Sequence, residues 1–358
     1  MKLKITNYFR YSFPFTSPFT TSTNTYSNRD GFIIQLKDEH NKTGFGEAAP
    51  LEGFGEESLA QAESSIGKLN DFLDTTTFKN LYDLNRLLLE NDFSYSVISA
   101  VTFAVVQIVF KDHKSRTQFL SDYNFTDKTY LNGVVGFYDI DEVINRVRKL
   151  HNSGYKVIKL KVGRQNIEDD LNILEHISLE FPLVKLRLDA NGAWDHNSAK
   201  QNLQLLAKYN LEYIEEPIHG IDNLMNLAEE IANESNVNLA IDESLISLTD
   251  IYRILTQSKI KNIVVKPSLF GGIINLLDLN KSALKNGKNI IISSAFETSL
   301  GRMQNAFIAS LINNNCTHGI DTSEFLQNDI SMNFYEVTNN FLTLDINNFS
   351  NNISEILC

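Results

Sequence analysis

From about Thr129 onward, short β-branched apolar runs alternate with stretches whose apolar residues recur at helical spacing. The runs YLNGVVGF, KVIKLKVG, VKLRLDAN, LEYIEEP, NLAIDES, IKNIVVKP, NIIISSAF and HGIDTSEF predict eight strands. Amphipathic stretches at 166–179, 197–209 and 222–234 predict helices between them. Such alternation predicts a parallel (β/α) barrel. An open doubly wound sheet would normally carry a Gly-rich phosphate turn after its first strand, and none is present.

Residues 1–127 lack that rhythm. LKITNYFRYSF, GFIIQLKD and TGFGEAA predict strands, and helical patterns follow at 57–73, 80–90 and 95–112, which together make a small α+β unit. Between the first two strands, TSPFTTSTNTYSN is polar with little to bury and predicts a mobile loop. Gly44, Gly46, Gly53 and Gly55, taken alone, read as turn residues. Residues 327–358 are Asn-rich and weakly patterned, a tail expected to return to the first unit. The expected division is 1–127, a barrel over 128–326, and the tail 327–358.

Charge and cysteine content narrow the partners. The formal net charge is −12 and no basic cluster stands out, so no nucleic-acid partner is expected. The longest mainly apolar segment, Ser99–Phe110, is too short to span a bilayer and reads as a buried helix, so no membrane partner is expected. The stretch MKLKITNYFRYSF has no apolar run of signal-peptide length. Cys316 and Cys358 form no Cys-x-x-Cys pair, and reduced thiols in the cytoplasm are expected. Composition leaves the oligomeric state open.

The strand ends carry the chemistry. Lys161, Asp189, Glu215, Asp242 and Lys266 each end an apolar run, at steps of 28, 26, 27 and 24 residues. A strand, a helix and two short loops take about that length. In a barrel these ends converge on one mouth. Lys159 and Lys161 lie two apart and share a face, so each is expected to lower the other's pKa until one acts as a base near neutral pH. Asp189, Glu215 and Asp242, aimed at one point, require a cation. All-oxygen ligation suits a hard divalent ion, Mg²⁺ first and Mn²⁺ as a substitute. Glu216 and Glu243 should face away as supporting partners, or the pairs are reversed. Asn191 and Arg187 share Asp189's face and are expected to orient substrate or ligands. Lys266, across the barrel, supplies a facing cation. Together these groups fit abstraction of a proton next to a metal-bound carboxylate, a pattern known for enolase-type sites.

At these residues the chain resembles the enolase superfamily, in its muconate-lactonizing subgroup. The subgroup pattern of Lys-x-Lys, Asp, Glu, Asp and Lys on strands two to six is matched at Lys159, Lys161, Asp189, Glu215, Asp242 and Lys266. The resemblance implies an α/β fold, a modified (β/α)7β TIM-type barrel with an N-terminal α+β capping domain. Within the subgroup, GFGEAAPLEGFGEES, SSAFETSLG and GIDT are similar to segments of the o-succinylbenzoate synthase family of menaquinone biosynthesis. That implies a Mg²⁺-dependent hydro-lyase acting on a small carboxylate, with Lys161 as base and Lys266 as a cation over the developing enediolate. The substrate is expected to meet Phe54 on the capping loop, Asn191, and Ser293, Ser294 and Glu297 on the seventh-strand segment. The capping loop and residues 17–27 are expected to close over it. Departures stand at Glu52, where Pro is usual, and at Ala295, Phe296 and Thr298. The same lysines would suit an N-acylamino-acid racemase or a dipeptide epimerase. The epimerases' Asp-x-Asp on the eighth strand is here Asp321-Thr322-Ser323. Muconate cycloisomerisation and a non-catalytic carboxylate-binding barrel are further alternatives.

Overall fold

The computed structural model describes residues 1–20, 25–123, 125–232, 236–312, 316–330 and 335–346. It opens with an antiparallel sheet of β1 (Leu3–Thr20), β2 (Thr25–Asp38) and β3 (Thr43–Ala48) in that order. The Thr/Ser-rich stretch expected as a loop is mostly the far end of this hairpin, since Phe19 pairs with Tyr26 and Thr20 with Thr25. Backbone pairing with the partner strand replaces the missing apolar signal. Residues 21–24, where a loop was also expected, lie outside the described residues.

Four helices follow: α1 (Leu59–Thr75), α2 (Leu81–Glu90), α3 (Tyr95–Phe110) and α4 (His113–Asp122). Ser58 and Gln61 form a capping box that fixes the start of α1. α3 is apolar on nearly every side because it lies between the first sheet and the barrel. β3 packs directly on it. A Cβ at Gly44 would fall 2.0 Å from the Ala104 carbonyl oxygen, and one at Gly46 would fall 1.9 Å from that of Ala100. These two glycines therefore serve close packing rather than turns.

The barrel strands are β5 (Gly133–Val135), β6 (Val157–Lys161), β7 (Lys185–Asp189), β8 (Leu211–Glu215), β9 (Leu239–Ile241), β10 (Asn262–Val265) and β11 (Asn289–Ile292), all parallel and paired in sequence order. The helices between them are α5 (Ile140–Asn152), α6 (Ile167–Glu180), α7 (His196–Leu206), α8 (Ile221–Ile231), α9 (Leu248–Gln257) and α10 (Ile273–Lys285), and α11 (Ser299–Ile312) follows β11. The expected eighth strand is reduced to two parallel bridges, Leu131 with His318 and Ser293 with Gly319, which join the two edges of the sheet. The run YLNGVVGF does not form one strand. Lys128–Tyr130 is β4, which pairs with a C-terminal hairpin, β12 (Tyr335–Thr338) and β13 (Phe341–Leu344), while Gly133 onward joins the barrel. Among the described residues, the tail hairpin thus braces β4, just ahead of the barrel's first strand, and contacts with β1 come from Glu324, Phe325, Leu326 and Gln327.

Strand alternation decides which side chains fill the barrel. Tyr213, Ala240, Val264 and Ile291 form a separate buried cluster inside it. Two residues further along the same strands stand Glu215, Asp242, Lys266 and Ser293. That register places the charged ends directly above an apolar floor.

Candidate active site

Lys161 pairs in register with Asp189, and Asp189 with Glu215, so these three side chains start at one level. The Lys159 ammonium lies 2.8 Å from Asp189 Oδ2 and 2.7 Å from Glu215 Oε1. Lys161 lies 2.8 Å from the same Asp189 oxygen and also donates to Asn191 Oδ1. Across the mouth, Lys266 donates to Asp242 Oδ1. The side chains of Lys161, Lys159 and Lys266 are 28%, 17% and 4% exposed, so Lys161 offers the most accessible ammonium of the three.

The electrostatics are those of an internally compensated cluster. Burial would lower the Lys159 pKa, but Asp189, Glu215 and Asp242 outweigh it and hold the group well above the usual lysine range. The expected mutual depression therefore does not hold for Lys159, because carboxylates rather than Lys161 dominate its surroundings. Burial also works against Lys266, whose carboxylate neighbours Asp242 and Glu243 raise it instead. Asp189 stays well below the carboxylate range against the pull of burial, held by Lys159 and Lys161. Burial pushes Glu215 well above that range. The same cause raises Glu243 to about 7.

Oxygens of Asp189, Glu215 and Glu243 lie within 4.8 Å of one another. Glu215 Oε2 and Glu243 Oε2 are buried and have no hydrogen-bond partner among the described residues. Buried carboxylate oxygens without donors fit a site for a hard divalent cation. The grouping differs from the expected trio in one member: Glu243 stands with Asp189 and Glu215, and Asp242 stands with Lys266. Glu243 accepts from Asn191 Nδ2 at 2.5 Å, so Asn191 links Lys161 to this edge. Glu216, beside Glu215, bonds to the segment that carries Asp242. It is buried with φ of 43° and accepts from the Asp242 and Ser244 amides at 2.8 and 2.9 Å and from the Ser244 hydroxyl at 2.8 Å.

Arg187 is buried below the mouth. It donates to Glu212, Asn132 Oδ1 and the Thr317 carbonyl oxygen, with its guanidinium 4.8 Å from the Tyr213 ring centre. Parity gives its face correctly but not its depth, and Arg187 is spent on bonds beneath the mouth rather than at the place where substrate or ligands were expected to meet it.

The capping loop reaches the site through Phe54, whose ring centre lies 4.9 Å from the Lys266 ammonium. Ser294 and Glu297 face one another at 2.6 Å. Glu297 also accepts from Ser268 and from the Ala295 amide. The buried Glu297 thus shapes the seventh-strand loop through bonds to both of its carboxylate oxygens. Ser293 is half-buried at the barrel closure.

Two residues that hydrophobic periodicity does not mark tie the cap to this loop. Arg29 of β2 is 1% exposed and donates to carbonyl oxygens of Ala49, Pro50 and Ala295. Glu47 of β3 accepts from Tyr11 at 2.5 Å, from the Thr298 amide at 3.0 Å and from the Gly301 amide at 2.8 Å. Phe296 has φ of 61°, a left-handed conformation costing a bulky residue of order 1–3 kcal/mol.

Comparison with known proteins agrees with this architecture. A family model described as enolase C-terminal domain-like matches residues 142–345, and one described as MenC, N-terminal domain matches residues 3–81. An o-succinylbenzoate synthase of Pectobacterium atrosepticum is 28% identical over 90% of this chain and 91% of its own. Among solved structures, the L-Ala-D/L-Glu epimerase from Bacillus subtilis is similar in fold, with TM-score 0.81, 22% identity and 96% of each chain covered. MenC from Desulfotalea psychrophila is similar too, with TM-score 0.78, 21% identity, and 96% of this chain and 100% of that chain covered.

Proposed function

Because the chain belongs to the enolase C-terminal domain-like family, we propose that it is an o-succinylbenzoate synthase. It would remove water from 2-succinyl-6-hydroxy-2,4-cyclohexadiene-1-carboxylate to give the aromatic product used in menaquinone biosynthesis. The observation that carries this is the pairing of an accessible Lys161 with a buried Lys266 on opposite sides of a carboxylate cluster. The substrate class follows the similar curated synthases and the match to a MenC-type N-terminal domain. The compartment proposed is the cytoplasm, in keeping with two cysteines that form no Cys-x-x-Cys pair.

Asp189, Glu215 and Asp242 would hold Mg²⁺, with Mn²⁺ as a substitute, and Glu243 at the edge of the set. When bound, the ion supplies Lewis-acid neutralisation of charge at the substrate carboxylate. Lys161 takes the α-proton. The carbon–oxygen bond at the adjacent hydroxyl then breaks, and Lys161 returns its proton to the departing hydroxide. Lys266 stays cationic throughout and faces the developing negative charge, while Phe54 covers it from solvent. Asn191 holds Lys161 in place.

The same lysines suit 1,1-proton transfer on an acylated amino acid, which requires each to move a proton. The burial of Lys266 and its bond to Asp242 favour dehydration, in which only one lysine must do so. The test is direct. Enzyme supplied with Mg²⁺ is offered the cyclohexadiene carboxylate and, separately, N-acylamino acids. Aromatisation followed by ultraviolet absorbance supports the synthase; racemisation without aromatisation replaces it with the racemase.

A further inference from the structure

Four aromatic rings meet over the barrel mouth, and Phe296 is their hub. Its ring centre lies 5.8 Å from that of Phe15, 6.4 Å from Phe54 and 5.2 Å from Phe325, all near edge-to-face. Phe15 belongs to the first cap strand and Phe54 to the capping loop, whereas Phe296 and Phe325 belong to the barrel. The hub therefore joins cap to barrel at the point where Phe54 covers Lys266.

Its backbone is over-determined. The Phe296 amide donates to Ser294 Oγ at 3.0 Å, and the neighbouring Ala295 amide donates to Glu297 at 2.8 Å. Arg302 fixes the Glu297 carbonyl oxygen at 2.9 Å and is itself held by Tyr335 and Asp329. A bulky residue kept left-handed by so many bonds marks a place where geometry is imposed for use.

We propose that Phe296 is a positioning residue of the mouth: it seats Phe54 over Lys266 and holds the capping loop in place before substrate arrives. The capping loop is thus preorganised by aromatic contacts rather than ordered by the ligand alone. The choice of assay substrate rests on the synthase proposal; the loop measurement does not.

The test combines hydrogen exchange of residues 50–57 in ligand-free enzyme with steady-state kinetics. Phe296→Ala should speed exchange of that segment about tenfold and raise KM about tenfold, with a smaller fall in kcat, since the lost contacts hold the loop rather than move protons. Phe296→Tyr keeps the ring and should restore both. If Phe296→Ala does not fold, Phe54→Leu breaks the same contact from the cap side and should speed exchange at 294–298 by a similar factor. Unchanged exchange in the folded variant overturns the proposal, as does a KM that Phe296→Tyr fails to restore. Accelerated exchange in an enzyme that does not aromatise the cyclohexadiene would refute the synthase alone.

Discussion

Replacing Arg29 by methionine keeps most of the side chain's length and removes every donor. The guanidinium is 1% exposed and donates to Ala49, to Pro50 at 3.0 Å, to Ala295 at 3.1 Å and to Asp30 at 2.6 Å. Three of those carbonyls lie on the two loops that frame the site, at 49–50 and 295. A buried acceptor left without a donor costs about 1–3 kcal/mol, so three would cost about 3–9 kcal/mol. Water entering the vacated space satisfies part of that demand. The net loss expected is about 3–5 kcal/mol, in the upper range for a single substitution. Loss of register between the loops should also cost activity, since a displacement of about 1 Å at a reacting centre can lower rate on the order of a hundredfold. Arg29→Lys, a point donor in place of a fork, should fall between. Urea unfolding and steady-state kinetics on the three proteins provide the measurement. A loss below about 1 kcal/mol with unchanged kinetics would refute the claim that Arg29 joins cap to barrel.

Chelation should abolish activity and added Mg²⁺ or Mn²⁺ should restore it; titration calorimetry of Asp242→Asn against Glu243→Gln then shows which of the two is the third ligand, the larger loss of metal affinity being expected for Asp242→Asn. His318 accepts from the Ile292 amide at 3.0 Å at the barrel closure, and burial holds its imidazole down at about 3. A depressed histidine contributes stability that is complete above its unfolded value of about 6.5 and is lost as pH falls, so unfolding free energy should drop by about 2 kcal/mol between pH 6.5 and 5 from this group. His318→Asn should remove that portion of the slope, and an identical slope in the variant would contradict the assignment. Gly46→Ala drives a Cβ into the Ala100 carbonyl and should leave the enzyme poorly folded by circular dichroism and thermal melting, because backbone rather than a flexible side chain must move.

The charged strand ends were legible because period-two alternation and strand-to-strand spacing are both written in the sequence. They brought Lys159, Lys161, Asp189, Glu215, Asp242 and Lys266 to one mouth. Depth along a strand is not so written, which is why Arg187 was expected at the mouth and lies beneath it. Helix α4 buries no residue and so leaves no apolar stripe; its one local signal was the Asp112 cap on Ser115 at 2.8 Å. The hairpin of β1 and β2 extends through polar residues because paired backbone, not burial, holds its outer end. The break within YLNGVVGF comes from tertiary partners: the Leu131 amide donates to Asn340 and the Asn132 amide to His318, so two sheets compete for one run. Arg29, Glu47 and Phe296 work across the cap–barrel boundary, where contacts are distant in sequence and carry no periodicity.

Lys161 as the proton-transferring base is the claim on which the proposed chemistry turns. Arginine keeps a cation at either lysine position but stays protonated at neutral pH. The decisive measurement is the rate of aromatisation of the cyclohexadiene carboxylate by wild type, Lys161→Arg and Lys266→Arg, each loaded with Mg²⁺ and shown to be folded. Wild type should aromatise it, Lys161→Arg should run at background, and Lys266→Arg should keep part of the rate. Aromatisation by Lys161→Arg at a rate close to wild type would contradict the account.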